Sequence, residues 1–264
     1  MPSLALLRRV PDSFVGCVTR RPPVPPLDPV LARGQQEGYR ACLEQGGFEV
    51  VMLAGDEAHP DCAFVEDTAM VLGESALIAR PGHPSRRGEV GPVAEALAAL
   101  GLRLTHLVAP ATLDGGDVLR VGRRLFVGES GRTNAAGRAA LERFAVPLGY
   151  RVLPVPVRGV LHLKSAASAL DDRTILAFPG AVEMAAFGGP RVVPVGGNDP
   201  EAANAIRLPD GRILVAAHLP ECAAAVTAAG FTPVACEVSE FARADGGLTC
   251  LSVRLRSRLA RGEP

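Results

Sequence analysis

The chain has 264 residues, 48% hydrophobic and 21% charged, with 28 basic side chains against 28 acidic ones. Such a length supports a large core in a globular protein, and a net charge near zero gives no electrostatic case for nucleic acid or an anionic membrane as partner. No stretch reaches the roughly 20 apolar residues of a membrane span.

"SLALLRRV", residues 3–10, reads as a strand. Its apolar tetrad precedes Arg8 and Arg9, the reverse of the order in a secretory leader, so a cytoplasmic location is expected. "RRPPVPPLDP", Arg20 to Pro29, is a rigid surface loop leading to a helix that starts near Val30. "FVEDTAMVLGESALIARPG", Phe64 to Gly82, alternates like two short strands around a turn at Gly73. "EVGPVAEALAALG" has helical spacing and stops at Gly101. "GGDVLRVGRRLFVGESG" repeats the hairpin with its turn at Gly122, and "TNAAGRAALERFAVPLG" follows as a helix capped by Thr133 or Asn134. "VLHLKSAASALDDRTILAFPG" turns at Asp171-Asp172, and "ANAIRLPDGRILVAAHLPECAAAVTAAG" at Asp210-Gly211. "LTCLSVRL", ending at Leu255, is strand-like, and pairing it with residues 3–10 would close a ring and remove two sheet edges.

Hairpins centred near 73, 122, 172 and 211 recur every 40 to 50 residues or so, a period that suggests a propeller-like or solenoid repeat. Each unit is read as carrying a helix, which an all-β propeller blade lacks. A single domain over residues 1–264 is expected.

The six cysteines (17, 42, 62, 222, 236, 250) are scattered without a CxxC pair, so neither zinc spacing nor a disulfide framework is indicated. Cys250 is left as either a small buried side chain or a nucleophile. In a ring of hairpins the strand starts face one axis. The polar residues there are Glu66 and Asp67, Asp114 and Asp117, His162 and Lys164, and Cys250. Each alone has a plain structural reading, because a turn aspartate or a satisfied core histidine is common. A thiol, an imidazole and several carboxylates at equivalent points of successive units are together what nucleophilic catalysis needs. No phosphate-loop or dinucleotide fingerprint occurs, and Gly115, Gly116, Gly246 and Gly247 are read as points of close backbone approach.

"FVEDTA", "RPGHPSRRGEV", "TLDGGDVL", "FVGESGRTNAAG", "LHLKSAAS" and "DGGLTCLSVRL" closely resemble, in order from about Phe14 to Leu255, the dimethylarginine dimethylaminohydrolases of the guanidine-modifying superfamily. The resemblance implies a five-bladed α/β propeller of pseudo-repeated ββαβ units. It implies hydrolysis of asymmetric dimethylarginine and monomethylarginine to citrulline and dimethylamine or methylamine, through a covalent thiouronium on Cys250. His162 would be general acid and base, and Asp114 the carboxylate that orients it. Asp67 would hold the substrate guanidinium, with Glu66 and Asp61 as further contacts. Arg86 and Arg132 would grip the α-carboxylate, the carbonyl of Ala244 would meet the α-amino group, and Val18 would lie on a lid. No metal or organic cofactor is implied. The expected partner is a small methylated arginine, without nucleic acid or membrane, and the oligomeric state is left open, a homodimer included. The alternatives are an arginine deiminase or hydrolase of another small guanidino compound, and a non-catalytic binding member of the superfamily.

Overall fold

The computed structural model describes residues 3–255. The first unit contains β1 (Ser3–Arg8), α1 (Pro29–Gln45) and β2 (Phe48–Leu53). The second contains β3 (Ala69–Leu72), β4 (Ser75–Ile78), α2 (Val90–Ala99) and β5 (Arg103–His106). The third contains β6 (Val118–Val121), β7 (Arg124–Glu129), α3 (Ala135–Ala145) and β8 (Arg151–Pro156). β9 (Ala167–Ala169), β10 (Thr174–Ala177) and β11 (Arg191–Pro194) form the fourth. β12 (Ala205–Arg207), β13 (Ile213–Ala216), α4 (Pro220–Ala228) and β14 (Pro233–Cys236) form the fifth, followed by α5 (Ser239–Ala242) and β15 (Val253–Leu255).

These strands make five three-stranded sheets, the blades of an α/β propeller. In each blade a short inner strand pairs antiparallel with the middle strand, which pairs parallel with a third. The parallel partner needs a crossover, supplied by a helix in four blades. The fourth blade departs from the expectation of a helix in every unit. Between β10 and β11 there is only a 3-10 turn, Met184–Phe187, which drives the buried Phe187 onto Phe126 with ring centroids 5.2 Å apart. The first blade is closed by the two distant strands: Leu4 pairs with Leu255 and Leu6 with Val253, antiparallel.

Local chemistry explains the elements. The middle strands β4, β10 and β13 are buried along their whole length, because blades pack on both faces, and they read as continuous apolar runs. Gly73 and Gly122 take positive φ at the hairpin turns. The third hairpin has no glycine there and uses the Asp171 carboxylate, which accepts from Arg173 N at 2.8 Å. Asp28 caps α1 by accepting from Val30 N and Leu31 N, and Asn134 caps α3 by accepting from Gly137 N. Phe14, Phe64 and Phe241 stack mutually with centroids 5.7 to 6.2 Å apart, tying the segment before Glu66 to the segment before Cys250. No helix among the described residues is long and apolar enough to cross a membrane.

Candidate active site

The chemistry-bearing residues do not lie on strands, as the alternation around Phe64 and Cys250 suggests. They lie on, or as Asp114 and His162 do immediately before, 3-10 turns just ahead of the inner strands: Val65–Thr68, Gly115–Asp117, Leu163–Ser165, Pro200–Ala203 and Leu248–Leu251. Successive turns touch around one mouth of the ring. A 3-10 turn points neighbouring side chains in divergent directions, so each blade serves both the site and the packing around it.

His162 and Asp114 are buried, and His162 Nε2 lies 3.0 Å from Asp114 Oδ2. The other Asp114 oxygen accepts from Gly82 N at 2.8 Å, which fixes the carboxylate plane. His162 Nδ1 is 3.9 Å from Asp67 Oδ1. Gly116 lies between them: its N–H donates to Asp67 Oδ1 at 2.8 Å, and a Cβ there would fall 2.6 Å from His162 Nδ1. A Cβ on Gly115 would fall 2.0 Å from the Glu66 carbonyl oxygen. The glycine pair therefore serves close approach. Asp117 makes its hydrogen bonds elsewhere, accepting from Thr133 Oγ1 at 2.6 Å, Ser130 Oγ at 2.5 Å and Leu163 N at 3.1 Å. It binds three chain segments together beneath the site.

Electrostatics set the resting protonation. Burial disfavours the imidazolium, but the Asp67 carboxylate, the hydrogen bond to Asp114 and the charge of Asp117 outweigh it and lift His162 to about 9. Burial pushes Asp67 up, but His162 and the Arg86 guanidinium hold it down to about 2. The Cys250 thiol, half-buried, is pushed up to about 12 by burial and by Glu66 and Asp67. At neutral pH the site therefore holds an imidazolium and a neutral thiol beside carboxylates, a place that favours an added cation.

The remaining expected residues are placed as follows. Glu66 Oε1 accepts from Lys164 Nζ at 2.6 Å and Arg254 Nη2 at 2.9 Å, while its buried Oε2 has no partner. Arg132 Nη1 is likewise buried without a hydrogen bond, 4.0 Å from Asp114 Oδ2. Arg86 differs from its expected role as an open grip. Its Nη1 donates to Asp67 Oδ2 at 2.6 Å, and Nε and Nη2 chelate Glu89 at 3.0 and 2.8 Å, because two buried carboxylates require a cation. Asp61, raised by burial, accepts from Val18 N at 3.1 Å, so these two meet at one rim. Buried Ala244 precedes Asp245, whose φ is +57° and whose carboxylate pairs with Arg20 Nε at 3.0 Å, clasping the proline-rich loop.

Sequence reasoning missed Asn204. Its amide donates to Lys164 O at 2.8 Å and Thr249 Oγ1 at 3.0 Å and accepts from Thr249 N at 3.1 Å, holding the turn that carries Cys250. The signal was available, since Asn204 immediately precedes its inner strand as Asp117 precedes its own. Glu201, raised to about 7 by burial and Asp199, was also missed; its charge reaches Cys250. Among the described residues, Asp67, Asp114 and His162 bring ligand-type atoms within 4.8 Å of one another. In this trio His162 Nε2 is engaged with Asp114 Oδ2, and Arg86 already pairs with Asp67 Oδ2.

No family model matches the chain. It is 42% identical over 230 residues to an N(G),N(G)-dimethylarginine dimethylaminohydrolase of Streptomyces coelicolor, covering 87% of this chain and 88% of that one. The chain belongs to the dimethylarginine dimethylaminohydrolase family. A Pseudomonas aeruginosa dimethylarginine dimethylaminohydrolase, solved as a cysteine-to-serine mutant complexed with citrulline, superimposes with a TM-score of 0.90 at 28% identity, over 97% of this chain and 100% of that one. A dimethylarginine dimethylaminohydrolase solved as an adduct with S-methyl-L-thiocitrulline gives the same TM-score of 0.90 at 28% identity and the same coverage, 97% and 100%.

Proposed function

We propose that this chain hydrolyses Nω-methylated arginines to citrulline and dimethylamine or methylamine, with Cys250 as nucleophile, His162 as general acid and base, and Asp114 as the group that orients His162. The single observation that carries the assignment of roles is the buried Asp114–His162 hydrogen bond, set beside the carboxylates that depress the acidity of Cys250. A substrate guanidinium cancels those carboxylates where the thiol feels them, so its arrival lowers the cost of the thiolate. As the substrate cation binds, the Cys250 thiol loses its proton to bulk water, and the thiolate attacks the guanidinium carbon. The C–N bond to the alkylated nitrogen breaks as His162 gives that nitrogen a proton, leaving amine and an S-bound thiouronium. His162, now neutral, takes a proton from water, which attacks the same carbon, and the C–S bond breaks to release citrulline.

Binding follows the unsatisfied groups. A carboxylate has about four lone-pair sites, and Asp67 uses two of them on Arg86 and Gly116. The rest hold the substrate guanidinium, together with Glu66 Oε2. Arg132, with its unpartnered Nη1, takes the α-carboxylate. Arg86, which gives Asp67 one of its two Nη1 hydrogens, is the proposed second contact there. The carbonyl of Ala244 meets the ammonium, and Val18 with Asp61 forms the rim. All five blades contribute to one catalytic domain in this reading.

The test is incubation with asymmetric dimethylarginine, monomethylarginine and arginine, assaying citrulline and released amine. Wild type should make citrulline from both methylated substrates faster than from arginine, and Cys250→Ser should make none. Citrulline from the Cys250→Ser protein within tenfold of wild type removes Cys250 from the role, and a tenfold preference for arginine removes the substrate assignment.

A further inference from the structure

The inner strands enclose a recess that continues from the turns of the candidate site, with Glu66, Gly115, Lys164 and Thr249 at the turn end and the strands forming the rest. This recess, with a cavity volume of about 140 Å³, is lined by four cationic side chains, Arg120, Lys164, Arg207 and Arg254, and one carboxylate, Glu66. That carboxylate is already engaged: a single oxygen accepts from both Lys164 and Arg254. Arg120 and Arg207 have neither a hydrogen bond nor an ion pair among the described residues, although both are partly buried.

Their placement is regular. Arg120 pairs with Leu125 and Arg207 with Ile213, so each is the third residue of its inner strand. The equivalent residue of β9, which touches both β6 and β12, is Ala169, pairing with Ile175. Arg120 and Arg207 thus stand on the strands either side of the one that carries Ala169, and all three line the recess. Like charges brought together in a partly desolvated recess are unfavourable unless an anion joins them. Arginine forks match oxyanions bidentately, which a water-filled recess leaves unused.

We propose that this chamber is a binding site for a small multivalent oxyanion, held by Arg120 and Arg207 with Arg254 and Lys164 behind them. The inference is independent of the function proposed above, since neither Arg120 nor Arg207 belongs to the catalytic machinery. The size fits: a water occupies about 30 Å³ of liquid, so the recess has room for phosphate with part of its hydration.

The experiment is isothermal titration with inorganic phosphate at constant ionic strength, on wild type, Arg120→Gln/Arg207→Gln, Arg120→Lys/Arg207→Lys and Arg132→Lys. Wild type should bind one phosphate saturably. The double glutamine protein should bind at least tenfold more weakly with an unchanged thermal midpoint in the absence of phosphate. The double lysine protein, which keeps the charge and loses the forks, should bind more weakly than wild type and more tightly than the double glutamine protein, and Arg132→Lys should bind as wild type does. Absence of saturable binding to wild type, equal binding by the double glutamine protein, or loss of binding confined to Arg132→Lys would each overturn the proposal, the last by placing the anion in the catalytic mouth.

Discussion

Asp114 joins His162 through Nε2 at 3.0 Å and is itself held by Gly82 N–H at 2.8 Å, so the imidazole is oriented by a carboxylate that has no freedom to turn. Replacing the acid by its amide isolates that function. Asp114→Asn keeps the shape but neither stabilises the imidazolium nor enforces the tautomer. The expected loss in kcat is roughly 10² to 10⁴. NMR titration should show the His162 pKa falling below that of wild type. An active Asp114→Asn protein with an unmoved His162 titration would disprove the assignment.

Asp117 sits three residues further along, and its expected behaviour is opposite in kind. It accepts from Thr133, Ser130 and Leu163, so Asp117→Asn should lose about 2–4 kcal/mol of stability, the cost of weakening buried hydrogen bonds to a charged group. Denaturant unfolding gives the stability change, and assays on the folded fraction give the activity. A stable but inactive protein would exchange the roles of these two aspartates.

The raised pKa of His162 has a consequence for stability as a function of pH. Its folded value of about 9 exceeds the roughly 6.5 of a free imidazole. The contribution is therefore fully present below about pH 6.5 and is lost as pH rises through about 9. Asp67 works in the other direction: held down to about 2, it stabilises above about pH 3.9 and ceases to do so as pH falls through 2 or so. Urea midpoints measured from pH 6 to 10 should fall in wild type and stay flatter in His162→Gln. Parallel curves for the two proteins would refute the assignment of that slope to His162.

Arg132 carries a buried nitrogen without a hydrogen bond, and on the proposed reading a substrate carboxylate supplies the acceptor. Arg132→Lys retains the charge and loses the fork. KM should rise tenfold or more with kcat within a few-fold, because the contact is made equally in the ground and transition states. Agmatine, lacking the carboxylate, should be a very poor substrate of wild type. Efficient turnover of agmatine would show that Arg132 grips something else.

The repeat was legible because Gly73, Gly122 and Asp210-Gly211 each separate two apolar runs, a pattern with few alternatives to a hairpin. The partnership of residues 3–10 with "LTCLSVRL" followed from edge protection. The local form of the site was less legible. "VEDT" and "LTCL" have the composition of strand ends, and only the close packing of five turns around one mouth forces them into 3-10 geometry. The helix expected of every unit is missing from the fourth blade, where Gly188 and Gly189, both at positive φ, stop the turn after four residues. Arg86 is assigned to the substrate carboxylate by its family motif, which says nothing of its other partners. Its inward engagement depends on Glu89 and Asp67 being buried together, a fact of packing that spacing does not reveal.

The antiparallel pairing of Leu4 with Leu255 also bears on when the thiol becomes dangerous. Cys250 lies on the turn that feeds β15, so its neighbourhood exists only after two strands separated by nearly the whole described chain have met. Contacts of such long range form late and slowly. Before they form, Cys250 is an ordinary thiol without the carboxylates that draw a cation to it. On the proposed reading, Cys250 is expected to gain its cation-attracting surroundings only with ring closure. Selective alkylation by a cationic haloacetamidine, timed against refolding, should appear with closure and not with the earlier collapse.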